Sequence, residues 1–213
     1  MFTGIVQSTG EVKSIINGEN FKHFVIKVPV ELIDNLTIGA SVANNGVCLT
    51  AVKFKQVDDK NAEIEFDVID ETLRLTNLDD VDIGSLVNIE RSLKAGDEIG
   101  GHMVSGHIHT MATLVERADS TDNCKLTFKL DSAWQKYIFA KGFIGVNGAS
   151  LTLGNVIEDE QGDTLFDLHL IPETLERTNL GELQLGKTVN IEIDQQTITI
   201  VDSIARIMKD KIL

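Results

Sequence analysis

The chain has 213 residues, of which 42% are hydrophobic, and its 19 basic and 33 acidic side chains give a formal net charge of −14. A chain of this size and composition can bury one large core or two small ones, so it does not belong to the disordered class. The negative charge disfavours nucleic acid and anionic membranes as partners, and no apolar run approaches the roughly 18 residues of a membrane span.

The start of the sequence and its two cysteines indicate the compartment in which we expect the protein. The start, "MFTGIVQSTGEV", has neither the basic beginning nor the long apolar middle of a signal peptide. Cys48 and Cys124 lie on segments with different patterns. Two such cysteines are typical of free thiols in a reducing compartment, so we expect a cytoplasmic protein without a disulfide.

The first half of the chain has the pattern of a β protein. Its segments "FVIKVPV" (24–30), "AEIEFDVI" (62–69) and "LVNIERSL" (86–93) are short, rich in β-branched residues and partly alternating. Gly, Asn or Asp turns separate them. A helix-start signal with helical apolar spacing follows Pro29.

The second half repeats this pattern. Strands are predicted at "KLTFKL" (125–130), "VNIEID" (189–194) and "TITIVDSI" (197–204), and a second helix-start signal follows Ser132. The spacing of strands and turns predicts a small closed barrel in each half. The fold class is therefore mainly β.

Short segments recur at a constant spacing. A shift of 102 residues places "NGVCLT" (45–50) on "NGASLT" (147–152), "ETL" (71–73) on "ETL" (173–175) and "VNIE" (87–90) on "VNIE" (189–192). One offset without insertion over several segments indicates a duplication. We expect two copies of one domain at 1–102 and 103–204, followed by a C-terminal helical tail at 205–213.

The tail is amphipathic. The segment "SIARIMKDKIL" places Ile204, Ile207, Met208 and Leu213 near one helical face. This face has two interpretations, a helix docked on its own barrel or a contact with other subunits.

Several motifs that would indicate other chemistry are incomplete. "GASLT" lacks the second glycine of the hydrolase motif Gly-x-Ser-x-Gly, and "GDEIGG" lacks the Lys-Ser/Thr of a phosphate-binding loop. His102, His107, His109 and Cys124 match no zinc-finger spacing, so we expect no metal site. The "ETL" and "TNL" repeats can also be interpreted as turns capped by threonines, which explains one copy better than two.

Four features in combination resemble riboflavin synthase of the alpha-chain type over essentially the whole chain. They are "MFTGIV" at the first residue, the paired Asn-Gly turns, the paired "ETL" segments and "GGHMVSGHI" at 100–108. The resemblance implies two tandem six-stranded Greek-key barrels, each binding one lumazine, in a homotrimer. Its active site would form between the N-terminal barrel of one subunit and the C-terminal barrel of its neighbour, and association with a lumazine synthase shell is left open.

The implied reaction converts two molecules of 6,7-dimethyl-8-ribityllumazine into riboflavin and 5-amino-6-(ribitylamino)uracil by transfer of four carbons. The pteridine ring delocalises the charge left by loss of the C7 methyl proton, so no cofactor is expected. Most of the acceleration would come from holding two rings in the right orientation, with modest help from proton transfer and hydrogen bonding.

The resemblance also assigns site residues in each barrel. In the first barrel it places lumazine contacts at Gly4, Ile5, Val6, Cys48, Leu49, Thr50, Asp67, Val68, Ile69, Asp70, Glu71 and Thr72. In the second barrel it places them at Gly106, His107, Ile108, Lys141, Ser150, Leu151, Thr152, Leu170, Ile171, Pro172, Glu173, Thr174 and Leu175. The positions used in or near catalysis correspond to Phe2, Ser41, Cys48, His102, His107 and Asp194.

Three of these residues have plainer interpretations. Phe2 has the character of a core residue, and Asp194 that of a strand-end ion pair. Cys48 can be a small apolar residue chosen for packing. Many relatives have Asp where this chain has Asn147, and an asparagine there cannot act as a base.

The change from Cys48 to Ser150 is the most consequential difference between the two turns. The reaction requires one lumazine to act as an electrophile and the other as a carbanion, so the two pockets must differ. A thiol ionises more readily than a hydroxyl and can add to a ring carbon or carry a proton. His107 against Ile5 is the next candidate pair.

A different class of protein shares the implied architecture. Lumazine proteins and related fluorescent proteins bind a lumazine or flavin as an optical antenna and catalyse nothing. They are expected to lose the cysteine and the symmetric "ETL" segments, and both copies are intact here. The sequence therefore favours the enzyme over the antenna.

Overall fold

In the computed structural model, which describes residues 1–210, the chain forms two closed six-stranded antiparallel barrels followed by a helix. The strands of the first barrel are β1 (Ser8–Asn17), β2 (Phe21–Pro29), β3 (Ser41–Asn44), β4 (Val47–Gln56), β5 (Asn61–Ile69) and β6 (Leu86–Arg91). Their order around the barrel is β1-β2-β5-β4-β3-β6, and β6 pairs with β1 to close it. Because β2 pairs with β5 rather than with β3, the order is that of a Greek key.

The second barrel has the same topology. Its strands are β7 (Thr110–Asp119), β8 (Cys124–Leu130), β9 (Phe143–Val146), β10 (Ala149–Glu158), β11 (Thr164–Leu170) and β12 (Thr188–Ile193). Around the barrel they follow β10-β11-β8-β7-β12-β9, which is the order of the first barrel. The predicted fold class, two tandem six-stranded Greek-key barrels and a C-terminal helix, is confirmed.

The helical segments are short except for the last. The helices are α1 (Asp70–Leu75), α2 (Pro172–Arg177) and α3 (Gln195–Asp210). The signals after Pro29 and Ser132 each produce only a short 3-10 helix, at Val30–Ile33 and Ser132–Tyr137. Further 3-10 helices at Asn77–Asp80 and Asn179–Glu182 follow α1 and α2 directly.

The prediction of a strand at 197–204 is wrong, because this segment is part of α3. The Asp194 carboxylate starts the helix by accepting hydrogen bonds from the Thr197 amide and hydroxyl at 2.8 and 2.9 Å. Ile198 and Val201 then pack against the second core at helical spacing. The helix thus begins well before the predicted tail boundary at 205, and Leu213 lies outside the described residues.

Each barrel encloses its own apolar core, because inward and outward side chains alternate along its strands. Phe24 and Phe66 are at most 2% exposed in the first core. Phe128 and Phe166 in the second core have ring centroids 5.5 Å apart. Burying a side chain of this size contributes about 1.5–3 kcal/mol, so each barrel is a stable frame for its loops.

The two repeated Asn-Gly turns meet between the barrels. Both residues of each turn have positive φ, at 47° and 79° for Asn45 and Gly46 and at 45° and 82° for Asn147 and Gly148. These are the angles of two-residue hairpins, and they explain the choice of Asn and Gly. A Cβ on Gly46 would lie 2.7 Å from the Gly148 nitrogen, so the turns pack backbone to backbone.

Six asparagines join the barrels around this contact. Asn45, Asn77, Asn88, Asn147 and Asn190 are buried and Asn179 is half-buried. Their amides bond to one another in pairs of equivalent contacts, and the bridge between Phe2 and Val104 follows the same approximate two-fold relation. Because an unpaired buried amide costs roughly 1–3 kcal/mol, the network favours this one arrangement of the barrels.

We expect Gly46→Ala to destabilise the protein more than Gly84→Ala. Both glycines have positive φ, at 79° and 91°, so each alanine adds about 1–2 kcal/mol of backbone strain. A Cβ on Gly84 meets nothing within 4 Å, whereas one on Gly46 strikes the Gly148 backbone. That clash should cost about 1–3 kcal/mol more in chemical denaturation. Equal losses in the two variants would contradict the close contact between the turns.

Candidate functional site

The segment that begins each copy crosses to the other barrel. The Gly4 carbonyl accepts a hydrogen bond from the Ser150 amide of the second barrel at 2.7 Å. The Gly106 carbonyl accepts one from the Cys48 amide of the first barrel at 2.9 Å. Glycine is required at both places, because a Cβ there would lie 2.5 Å from the Cβ of the residue it meets and φ is positive.

The crossing segments pack on the barrel opposite to the one to which the predicted lumazine contacts assign them. Val6, which follows Gly4 and Ile5, belongs to the second core. Ile108, which follows Gly106 and His107, packs against the first core. Which bound lumazine each segment contacts stays a prediction. The repeat register is the same whether such segments stay on their own barrel or exchange, so the sequence could not reveal the exchange.

A cavity of about 240 Å³ opens where the crossing segment, the hairpin and α2 meet on the second barrel. Its lining consists of Gly4, Ile5, Val6, Ala149, Ser150, Leu151, Glu173, Thr174, Arg177 and Thr178. The structure therefore brings together three separate predicted stretches in one pocket. The pocket combines apolar walls with several hydroxyls, one carboxylate and one guanidinium.

His102 lies against Ser150 of this pocket. The His102 Nδ1 atom is 2.7 Å from the Ser150 hydroxyl oxygen, and the imidazole stacks on Phe143 with centroids 5.2 Å apart. Burial lowers the pKa of His102, and the carboxylates of Asp194 and Glu192 oppose that shift. The imidazole is thus neutral at neutral pH and can orient the hydroxyl.

The equivalent region of the first barrel contains different side chains. Cys48 is half-buried and packs against the small cluster of Phe2, Ala43 and Val104. His107 is exposed at the position that Ile5 has in the second pocket. Leu75 stands in α1 where α2 has Arg177. The first region thus has a thiol where the second has a hydroxyl, an imidazole where the second has an isoleucine, and a leucine where the second has a guanidinium.

Comparison with known proteins agrees with this duplicated architecture. A family model described as the lumazine binding domain matches residues 3–92 and again residues 105–194. The chain is 48% identical over 209 residues to the riboflavin synthase of Escherichia coli strain K12, covering 98% of this chain and 93% of that protein. The chain belongs to the riboflavin synthase family.

Further relatives extend the comparison. The riboflavin synthase of Buchnera aphidicola subsp. Schizaphis graminum is 44% identical over 213 residues, covering 100% of this chain and 98% of that protein. Solved structures of LumP with riboflavin and with 6,7-dimethyl-8-(1'-D-ribityl) lumazine have TM-scores of 0.78 and 0.77. These are 26% and 27% identical, and each covers 91% of this chain and 99% of its own. The resemblance drawn from the sequence is confirmed.

Some residues expected from the riboflavin synthase resemblance have buried or structural positions. Val68 and Leu170 are 1% exposed and belong to the cores, as does Phe2 to the inter-barrel cluster. Asp194 caps α3 instead of forming the suggested ion pair. Ser41 pairs with Thr50 across β3 and β4. The catalytic and binding roles expected of these residues stay predictions.

Five other residues predicted to contact the lumazine of the second barrel lie outside the lining of the 240 Å³ cavity on that barrel. They are Thr152, Ile171, Pro172, Leu175 and Lys141. Lys141 is exposed and has φ of 67°, where the first copy has Gly39 at 89°. A lysine in this backbone region is uncommon and suggests a functional constraint.

On the first barrel, exposed Asp67 is held by His23, with the His23 Nδ1 and Asp67 Oδ1 atoms 2.7 Å apart.

Sequence reasoning missed three side chains that shape the sites. Glu90 accepts hydrogen bonds from Thr3 and Gly4, and Glu192 accepts them from Ser105 and Gly106. Both end the repeated "VNIE" segments, so the repeat itself was the available signal. Arg177, which lines the second cavity, had no signal because its counterpart is leucine.

Among residues 1–210, no group of three or more His, Cys, Asp or Glu side chains is arranged to hold a metal ion. None of the helices in this range is long and apolar enough to cross a membrane.

We expect the free energy of unfolding to fall as pH decreases from about 7.5 to about 6. Burial lowers the pKa of His102 and His109 from the ordinary 6.5, so the unfolded chain binds these protons first. The stabilisation is therefore present above pH 6.5 and lost below it. Denaturant titrations of the wild type and of His102→Gln/His109→Gln measure the effect, and the variant should show the shallower slope. Identical slopes would contradict burial of neutral imidazoles.

Proposed function

We propose that the chain catalyses the riboflavin synthase reaction, the transfer of four carbons between two molecules of 6,7-dimethyl-8-ribityllumazine to give riboflavin and 5-amino-6-(ribitylamino)uracil. The observation that supports it most directly is the pair of equivalent hairpin regions with unlike side chains. Two identical substrates must act in opposite roles, and a duplicated domain with divergent pockets provides two binding places of related shape. Membership of the riboflavin synthase family supports the same reaction.

The pocket chemistry suits a lumazine. Backbone amides and carbonyls at the two hairpins match the alternating donors and acceptors of the uracil-like edge. The Glu173 carboxylate, the hydroxyls and the Arg177 guanidinium of the second pocket match a ribityl chain. The C7 methyl proton can leave because the pteridine ring carries the resulting charge. Holding the two rings against each other then supplies most of the acceleration.

The side chains near the two hairpins suggest a division of roles. Cys48 and His107 offer a thiol and an exposed imidazole near the first hairpin. Ser150 is held by neutral His102 near the second. We assign reversible addition or proton transfer to the Cys48 side, and binding and orientation to the Ser150 side. Asn147 is bonded within the inter-barrel network and serves as a structural group.

We also propose a homotrimer whose active sites lie between subunits. The cavity on the second barrel has a volume of about 240 Å³, which is below the 300–1,000 Å³ typical of pockets that enclose a ligand of this size. A smaller volume is expected if a neighbouring subunit completes the pocket. Ile198 and Val201 dock α3 on its own barrel, yet Ile200, Ile204 and Met208 are more than half exposed. Docking on its own barrel therefore uses one face of α3, and the exposed apolar face is the one that we propose for contact with other subunits. Docking with a lumazine synthase shell stays a prediction.

The working compartment we infer is the cytoplasm, because both cysteines are unpaired.

The decisive experiment on activity uses purified protein and 6,7-dimethyl-8-ribityllumazine alone, with a metal chelator present and no nucleotide. We expect steady formation of riboflavin, followed by its absorption and fluorescence. A stable stoichiometric lumazine complex without turnover would instead support the antenna function that the shared architecture allows.

Cys48→Ser should lower turnover by about tenfold, or about 1.4 kcal/mol of transition-state stabilisation, with little change in lumazine affinity. The reason is that serine keeps the size of the side chain and loses the readily ionised thiol. Steady-state kinetics and a lumazine titration give the two quantities. Ser150→Ala is the matched comparison and should act mainly on binding. Full turnover of Cys48→Ser would show that the thiol serves packing.

Ile204→Glu should reduce the oligomeric mass and the riboflavin-forming activity together. The substitution places a charge on the exposed apolar face of α3, where the proposed trimer contact would bury it. Arg206→Glu introduces the same side chain on another face of the helix and should leave the mass unchanged. Light scattering at micromolar concentration is the measurement. An unchanged mass for Ile204→Glu would restrict α3 to docking on its own barrel.

A further inference from the structure

The two repeated "VNIE" segments lie at the contact between the barrels. They make up the middle of β6 and β12, where Asn88 and Glu90 correspond to Asn190 and Glu192. All four side chains are buried, with exposures between 0% and 6%. A buried carboxylate is costly unless its oxygens are fully hydrogen-bonded, so its partners indicate what it is there to hold.

Each glutamate holds the crossing segment that lines the other barrel. Glu90 of the first barrel accepts the Thr3 amide at 2.7 Å, the Thr3 hydroxyl at 2.8 Å and the Gly4 amide at 3.1 Å. Gly4 then receives the Ser150 amide of the second barrel on its carbonyl. Burial raises the pKa of the Glu90 carboxyl, and the hydrogen bonds it accepts oppose that shift.

The second barrel repeats the arrangement in reverse. Glu192 accepts the Ser105 amide at 2.6 Å, the Ser105 hydroxyl at 2.8 Å and the Gly106 amide at 3.0 Å. Gly106 receives the Cys48 amide of the first barrel. A chain of direct hydrogen bonds thus runs from each glutamate to the hairpin of the opposite barrel.

Each asparagine of the same strands holds the opposite side of that hairpin region. The side-chain Oδ1 atom of Asn88 accepts a hydrogen bond from the Asn179 backbone amide at 2.7 Å, directly after Thr178, which lines the cavity on the second barrel. The side-chain Oδ1 atom of Asn190 accepts one from the Asn77 backbone amide at 2.7 Å, just beyond α1 of the first barrel. The asparagine and the glutamate, two residues apart, therefore hold the two sides of the hairpin region on the other barrel, which on the second barrel is the cavity of about 240 Å³.

We propose that the "VNIE" strand of each barrel positions the substrate pocket of the other barrel, so that Asn88 and Glu90 act on the Ser150 pocket, and Asn190 and Glu192 act on the Cys48 pocket. These are positioning residues, since they reach the pocket through the crossing segments and the ends of the short helices. The identity of the ligand rests on the proposed function, whereas the crossed mechanical connection does not.

Amide hydrogen exchange without ligand tests the connection directly. Glu90→Gln replaces one accepting oxygen with a donor, so it opposes the Thr3 or Gly4 amide. We expect exchange in segments 3–6 and 149–152 to rise by about tenfold, with less than about twofold change in 105–108 and 47–50. Glu192→Gln is the matched control and should give the opposite pattern.

A milder pair of variants covers the case in which the glutamine variants do not fold. Thr3→Val and Ser105→Ala each remove one hydroxyl donor to the glutamate and leave its other bonds in place. They should show the same crossed pattern at smaller amplitude. Equal responses in both pockets, or a response confined to the barrel that carries the altered glutamate, would overturn the proposal.

Ligand protection of Cys48 gives a pocket-specific readout that general destabilisation would not reproduce. Cys124 is 1% exposed and burial raises its pKa to about 11, so iodoacetamide reports on Cys48. Glu192→Gln should raise the lumazine concentration that protects Cys48 by about tenfold, and Glu90→Gln by less than about twofold. The reverse order would refute the crossed assignment. Absence of protection in the wild type would count against the proposed substrate, and the exchange pattern would still decide the positioning.

Discussion

The architecture depends on the backbone contact between two Asn-Gly turns. Each hairpin requires positive φ at both turn residues, and the two glycines approach so closely that neither could carry a Cβ. The surrounding asparagines satisfy the polar groups that this approach buries, which would otherwise cost roughly 1–3 kcal/mol each. The barrels are therefore joined in one defined orientation. That orientation also sets the position of the segments at Gly4 and Gly106, which cross from one barrel to the other.

The joint also explains how a duplicated domain supports unlike sites. Symmetric groups, namely the asparagines, Glu90 and Glu192, build the frame and occur in both copies. Ser150 and Arg177 line the cavity on the second barrel, and their counterparts in the first copy are Cys48 and Leu75. Duplication preserved the residues whose hydrogen bonds must close on each other. It left free the positions that line the cavity on the second barrel, so the two copies present different side chains at equivalent places.

Burial gives the few ionisable groups at this joint their character. His102 has its pKa lowered by desolvation, which keeps the imidazole neutral beside the Ser150 hydroxyl. The pKa of Glu90 is raised by the same cause, with the crossing segment supplying opposing hydrogen bonds. The many exposed ion pairs on the strands, such as that of Lys27 with Glu11, contribute little to stability in comparison. For the stability of the inter-barrel contact, the burial and hydrogen bonding of these few groups therefore matter more than the overall charge of −14.

Local pattern was enough for the duplication, the barrel class and the hairpin turns, because repeat spacing, strand alternation and the demand for positive φ are properties of neighbouring residues. It failed for the segment at 197–204, where β-branched residues alternate as in a strand but Asp194 caps a helix and the second core binds its apolar face. It also could not decide on which barrel the segments at Gly4 and Gly106 pack, and the resemblance assigned each to the barrel opposite to the one it contacts. That choice, and with it the roles of Glu90, Glu192 and Arg177, was decided by tertiary structure, because exchanging two equivalent segments changes the hydrogen-bond partners in space and leaves the sequence register unchanged.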